Sequence, residues 1–82
     1  MNVRDEYGNT ILVIACQNGN KRIAKAVLRR GADINARNYK GNTPLHYCYT
    51  YGYGNTLGLY LIQKGADHSI KNNAGRPVSE GI

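Results

Sequence analysis

His46 and Cys48 lie two residues apart, and an imidazole beside a thiol is the pairing that cysteine nucleophiles and zinc sites use. Neither role fits a helical segment, because side chains two positions apart on a helix point in quite different directions. The sequence also has no second group of cysteine and histidine residues to complete a zinc site. We therefore predict no catalytic residue, no metal site and no cofactor, and we do not expect an enzyme.

Ten glycines raise the question of a phosphate-binding loop. Neither G-x-G-x-x-G nor G-x-x-x-x-G-K-[ST] occurs in the sequence, and the glycine-rich stretch 51–55 follows no predicted strand. The glycines are instead expected to close turns and helices.

A basic segment at 21–30 is the second candidate for chemistry, and the net charge of the chain is +6. It carries five cations and no acid: Lys21, Lys25, Arg22, Arg29 and Arg30. Such a helix could bind nucleic acid, anionic lipid or a calmodulin-like partner. The plainer interpretation is a solvated outer face of a helix, which makes nucleic acid the less favoured partner. Anion binding through helix 21–30 stays open as an alternative function.

The elements that position these residues recur along the chain. Polar turns closed by glycine occupy 5–8, 38–41 and 72–75, with Asp or Asn first and Gly fourth, as in type I turns. Thr10 and Thr43 follow as helix N-caps, and Pro44 suits a first helical position. We predict helices over about 11–18, 21–30 and 44–51, and a fourth helix that includes Leu57, Leu61 and Ile62 in the phase of the second.

The repeat length is about thirty-three residues, which is typical of stacked helical units that bury their apolar faces against each other. The predicted divisions are a first repeat at 1–34, a second at 35–68 and a truncated third repeat or C-terminal cap at 69–82. The third copy is expected to break down where its first helix should form.

The tyrosines at 47, 49, 51 and 53 alternate, and alone they would predict a β-strand. Thr43 and Pro44 before them favour a helix instead, as does the parallel with 11–19. Helix is the prediction, and the strand is the alternative.

The sequence Gly41-Asn42-Thr43-Pro44-Leu45-His46 matches G-x-T-P-L-H, and 31–36 reads G-A-D-I-N-A. With the spacing, these motifs resemble ankyrin repeats over nearly the whole chain. The resemblance implies an all-α short solenoid, with a β-turn tip and two antiparallel helices per repeat. It implies a protein–protein interaction module without catalysis, and it gives His46 the role of joining helix starts through hydrogen bonds, one of them to Thr43.

The chain departs from the family pattern at several positions. The first copy lacks the motif proline and histidine, and Tyr49 stands where the family prefers alanine, which puts helix packing in doubt there. Gly58 replaces the alanine of the other copy inside a helix, at an expected cost of about 1 kcal/mol. Leu59 takes the place of a solvent-facing lysine.

Partner-binding positions in this family lie at the turn tips and on the exposed side of the first helix. Carried onto this chain, they are Glu6, Tyr7, Asn9, Gln17, Asn18, Tyr39, Lys40, Asn42, Thr50, Tyr51, Asn73, Ala74 and Arg76. Tyrosine suits protein interfaces, because it joins a rigid apolar body to a polar tip. Tyr7, Tyr39 and Tyr51 are predicted to lie along one concave strip, whereas Tyr47, Tyr49 and Tyr60 are predicted to be core residues.

The ends of the stack are predicted to be apolar. Ile11, Val13 and Ile14 give the first helix little polarity, which leads to the hypothesis of a longer array or of a protomer that associates or exchanges repeats. Sedimentation at low micromolar concentration would contradict it by showing a stable monomer. Two cysteines without disulfide density, no apolar leader and no membrane-length run predict an intracellular protein, cytoplasmic or nuclear.

Overall fold

The computed structural model describes residues 3–82 as a stack of short helices joined by turns. The α-helices of this part are α1 (Ile11–Gln17), α2 (Lys21–Arg29), α3 (Pro44–Thr50) and α4 (Leu57–Gln63), followed by a 3-10 helix at Val78–Glu80. The all-α prediction is confirmed. Met1 and Asn2 lie outside the described residues. They belong to the predicted repeat 1–34 and to the N-terminus that is predicted to carry no leader.

Polar side chains start three of the helices, and the sequence predicts two of these caps, Thr10 and Thr43. The Thr10 hydroxyl accepts from the Val13 amide at 3.3 Å, and the Asn20 side chain accepts from the Ile23 amide at 3.1 Å. Thr43 and His46 form a reciprocal capping box at α3, with Pro44 as its first residue. Each such bond satisfies a backbone N–H that has no partner within the helix.

The strand alternative for the alternating tyrosines is wrong. Tyr47 and Tyr49 lie within α3, and Tyr51 is its C-cap. Because residues four apart share a helix face, the rings of Tyr47 and Tyr51 stack with centroids 6.3 Å apart and planes inclined by 9°. The capped start at Thr43 decides between helix and strand here, and the alternation carries no structural meaning.

The core takes side chains from all four helices, with α1 packed against α2 and α3, and α3 packed against α4. Leu12, Leu45, Leu57 and Leu61 are at most 2% exposed. The prediction that Val13 contributes to an apolar outer face of the first helix is wrong. Val13 is 1% exposed and belongs to this core. The exposed apolar side chains include Ile11, Ile14, Ile23 and Leu59.

Tyr49 fits into the stack because Gly54 lies under its ring. A Cβ on Gly54 would stand 2.6 Å from Tyr49 Cδ1, closer than packed carbon atoms approach. Gly54 belongs to the lengthened loop between α3 and α4. The loop therefore accommodates the ring that replaces the family's alanine.

Gly58 in α4 is also tightly packed. A Cβ there would lie 3.3 Å from the carbonyl oxygen of Tyr53, which accepts a hydrogen bond from the Gly58 amide. An alanine at this position would require that carbonyl to move by a few tenths of an ångström, which opposes the predicted gain from replacing the glycine.

The third copy keeps its turn and loses its helix, as predicted. Gly75 N–H donates to the Asn72 carbonyl at 2.9 Å, which closes the turn. After Pro77 only the short 3-10 helix forms, and it packs its buried Val78 against α3.

Candidate functional interface

The first residue of each turn holds the turn with its side chain. The Asn38 side-chain oxygen accepts from the amides of Lys40 and Asn42, both at 3.0 Å. Asn72 does the same for Ala74 and Arg76, and Asp5 for Tyr7 and Asn9. The pKa of the Asp5 carboxyl group is lowered below its ordinary value, mainly by the hydrogen bond from the Asn9 backbone.

Neighbouring turns are then joined to each other. The side-chain amide of Asn38 donates to Asn9 Oδ1 at 2.9 Å, and the side-chain amide of Asn72 donates to Asn42 Oδ1 at 2.7 Å. Backbone bonds run in parallel, from Tyr39 N–H to the Tyr7 carbonyl at 3.1 Å and from Asn73 N–H to the Lys40 carbonyl at 3.0 Å. The three turn tips therefore form one continuous, hydrogen-bonded row.

A groove of about 340 Å³ lies beside this row. Seven of the predicted partner residues line it: Glu6, Tyr7, Asn9, Gln17, Tyr39, Lys40 and Tyr51. The side chains of Tyr7, Tyr39 and Tyr51 are 64%, 71% and 49% exposed. The first two repeats thus contribute side chains from their turns and first helices to one surface.

The exposed tyrosines are held by what lies beneath them. The Tyr39 ring covers Gly8, where a Cβ would stand 2.8 Å from Tyr39 Cδ1. Gly8 has φ +77°, a backbone conformation that glycine adopts readily, and it leaves room for the ring. Tyr51 stacks on Tyr47, whose hydroxyl accepts from the Asn38 amide at 2.7 Å. Burial raises the pKa of Tyr47 above its ordinary value.

Two predicted contact residues turn out to be part of the framework. Asn42 is 3% exposed and Asn9 is 8% exposed, and both side chains bond to the asparagine of the next turn. Asn42 borders a neighbouring cavity with a small part of its surface, and its side-chain oxygen accepts from Asn72. Asn9 borders the groove with a small part of its surface.

The remaining predicted residues lie outside the groove. Asn18 caps α1 and donates to the Ile14 carbonyl at 3.0 Å. The Thr50 hydroxyl accepts from the Ile82 amide at 2.8 Å, and the Arg76 guanidinium donates to the Ile82 carbonyl at 2.9 Å. Asn73 and Ala74 line a neighbouring cavity with Tyr39 and Lys40.

Sequence reasoning missed three residues that line the groove, namely Asn38, Tyr47 and Ile82. The repeated Asn at the first turn position was a signal for the turn, but not for the groove. Ile82 lies beside the groove, where its backbone bonds to the Thr50 hydroxyl and to the Arg76 guanidinium.

His46 has the predicted joining role. Its Nδ1 accepts from the Thr43 amide at 3.2 Å and lies 2.8 Å from the Thr43 hydroxyl, while Nε2 lies 3.0 Å from the Arg76 carbonyl oxygen. Because the carbonyl can only accept and the amide can only donate, the proton is on Nε2. Cys48 is fully buried and contacts Cys16. The hydrogen bond with Cys48 and burial raise the pKa of the Cys16 thiol above its ordinary value.

Residues 3–82 contain no group of three or more His, Cys, Asp and Glu side chains placed to hold a metal ion. Within the same residues, no helix has the length and apolarity needed to cross a membrane.

Comparison with known proteins identifies the class to which this fold and interface belong. A family profile described as ankyrin repeats (3 copies) matches residues 1–72. The chain belongs to the ankyrin repeat family, whose repeats are in general protein-interaction modules and typically non-catalytic. The predicted family is confirmed.

Three relatives show where such sequences occur. An ankyrin repeat-containing protein of Schizosaccharomyces pombe is 36% identical over 99% of this chain and 38% of its own length. An ADP-ribosylation factor GTPase-activating protein of Arabidopsis thaliana is 41% identical over 89% of this chain, and protein fem-1 homolog A-like of Mus musculus is 43% identical over 74% of it. In each of the latter two, the match spans only 9% of the relative's length.

Proposed function

We propose that this chain is a non-catalytic interaction module that binds a partner protein in the groove beside its turn tips. The observation that carries the proposal is the convergence of three exposed tyrosines, Tyr7, Tyr39 and Tyr51, on one groove between the turns and the first helices. Aromatic side chains of this kind dominate the energetics of protein interfaces, because each buries a large area with little loss of side-chain entropy.

The groove is prepared for binding before a partner arrives. Tyr39 is fixed over Gly8, and Tyr51 is fixed over Tyr47. The backbone bond from Tyr39 N–H to the Tyr7 carbonyl holds these two turn residues side by side. A partner therefore orders few side chains, and the cost of association is correspondingly low.

Polar residues at the edge of the groove would orient the bound segment of the partner. Glu6 and Lys40 supply charges of opposite sign, and Gln17 supplies an amide on α1. An extended segment with apolar side chains toward the tyrosines and polar groups toward Glu6 and Lys40 would match this arrangement.

The test uses the double variant Tyr39→Ala/Tyr51→Ala with Leu59→Ala as a matched control. Leu59 is 49% exposed, as Tyr51 is, but it lies on α4 and does not line the groove. A partner captured with the wild-type chain is purified, and its affinity for the three proteins is measured by calorimetry. We expect the double variant to lose at least about tenfold in affinity, and Leu59→Ala to bind as wild type does.

A partner that binds the double variant and wild type equally would overturn the proposed groove. Thermal unfolding of both variants tests whether a loss of affinity comes from unfolding rather than from the loss of the tyrosine contacts. The double variant should remain folded, because neither ring belongs to the buried core.

We also propose an intracellular location. Cys16 and Cys48 are buried free thiols, a state that reducing compartments maintain. Fractionation of cells expressing the parent protein would test this, and recovery in the secreted fraction would contradict it.

A further inference from the structure

A second charged surface lies on α2 and α4 and shares no lining residue with the groove. Lys21, Lys25 and Arg29 occur at four-residue spacing, so they share one face of α2. Tyr60 on α4 faces the two lysines, and its ring also contacts Lys64, the C-cap of the same helix.

The cations converge on a single ring. The ammonium nitrogens of Lys21, Lys25 and Lys64 lie 5.0, 5.4 and 5.8 Å from the centroid of Tyr60. Each distance is within the range of a cation–π interaction. The tyrosine thus attracts three like charges into one small region, although they repel each other.

A cavity of about 360 Å³ opens between these side chains. It is lined by Lys25, Leu28, Arg29, Tyr60 and Lys64, and none of these is acidic. The whole of α2 is also free of acidic residues. The positive charge of this cavity is therefore not neutralised by a carboxylate in its lining.

The types of cation indicate the ligand. An ammonium group is a compact point charge that suits phosphate oxygens, and the guanidinium of Arg29 can bind two of them at once. A phosphate monoester carries about 1.5 to 2 negative charges near neutral pH. A ligand with several such groups would relieve the repulsion among all four cations.

We propose that this cavity binds a small ligand carrying two or more phosphate monoesters on a compact scaffold, such as an inositol phosphate. A duplex nucleic acid fits less well, because its phosphates form extended lines, whereas the three lysine ammonium groups here surround one ring. The same chemistry is offered by a soluble inositol phosphate and by the headgroup of a phosphorylated inositol lipid.

The test measures binding of inositol hexakisphosphate by calorimetry at about 0.15 M salt, where weak surface attraction is screened. The variant Lys25→Gln/Lys64→Gln removes two charges from the cavity. The control Arg22→Gln/Lys71→Gln removes the same charge from exposed residues that line neither this cavity nor the groove. We expect saturable binding with one ligand per chain, weakened at least about tenfold in the first variant and nearly unchanged in the control.

Equal weakening in both variants would overturn the site, because it would show attraction by net charge alone. An absence of saturable binding to the wild-type chain would overturn it as well. A duplex DNA that binds more tightly than inositol hexakisphosphate, with the same loss in the cavity variant, would replace the proposal with nucleic-acid binding.

Vesicles distinguish the two sources of the ligand. Phosphatidylcholine vesicles with and without a bisphosphorylated inositol lipid are sedimented with the wild-type chain and both variants. Lipid-dependent sedimentation that only the cavity variant loses would assign the site to a membrane headgroup. Binding of the soluble ligand without sedimentation would assign it to a soluble inositol phosphate.

Discussion

The imidazole Nε2 of His46 lies 3.0 Å from the carbonyl oxygen of Arg76, thirty residues along the chain. One buried side chain therefore caps the start of α3 and holds the turn of the next copy. This bond couples the truncated third copy to the complete second one. The third copy is thus held by a polar contact as well as by Val78 in the core.

We predict that His46→Ala destabilises the chain by about 3 kcal/mol, because it empties a fully buried site and leaves the Arg76 carbonyl and the Thr43 amide without their partner. Urea unfolding followed by circular dichroism measures the change. His68→Ala is the control, since His68 is exposed and should change stability by less than about 0.5 kcal/mol. Similar effects from both variants would show that the His46 contacts contribute little.

The contact between Tyr49 and Gly54 gives a prediction of coupling. Gly54→Ala should cost about 1 to 3 kcal/mol, because the new Cβ would overlap the Tyr49 ring. In a Tyr49→Ala background the same change should cost much less, since the ring is gone. A double-mutant cycle by chemical denaturation measures this difference.

Additive effects in that cycle would show that the two positions do not compensate for each other. Gly52→Ala is the comparison, because its destabilisation would have a different cause. Gly52 has φ +85° and open space around its Cβ position, so its cost should be independent of Tyr49.

The buried thiol of Cys16 predicts a loss of stability in alkali. The hydrogen bond with Cys48 and burial raise the pKa of this thiol above its ordinary value of 9.0, which the unfolded chain retains. Its contribution to stability is therefore complete below about pH 9 and declines as the pH rises further. The expected loss is about 1.4 kcal/mol for each pH unit above that point.

Urea unfolding between about pH 7 and pH 10 measures this slope. Cys16→Ala removes the titrating group, so its stability should change less with pH even though its absolute stability is lower. The raised pKa of Tyr47 acts in the same direction only above its ordinary value of 10.0, so it has little effect in this range. Identical slopes for wild type and Cys16→Ala would contradict the assignment.

Much of the fold could be predicted because its signals are local. Thr43, Pro44 and His46 lie within one turn of helix, so their types and spacing already specify the capped start of α3. The same holds for the turns led by Asp5, Asn38 and Asn72, whose hydrogen bonds span two to four residues. The family resemblance, and not these local rules, gave the expectation that Tyr7, Tyr39 and Tyr51 share a surface, and all three line one groove.

What only the tertiary structure decided depends on residues far apart in the sequence. Asn42 is buried because Asn72 reaches its oxygen from the next turn, and Tyr60 meets Lys21 and Lys25 across two helices. A sequence pattern records neighbours along the chain, whereas these contacts arise from how one repeat settles on another. The repeat by itself therefore determined the family and the row of turns, and the stacking of the repeats decided which side chains remain available to a partner.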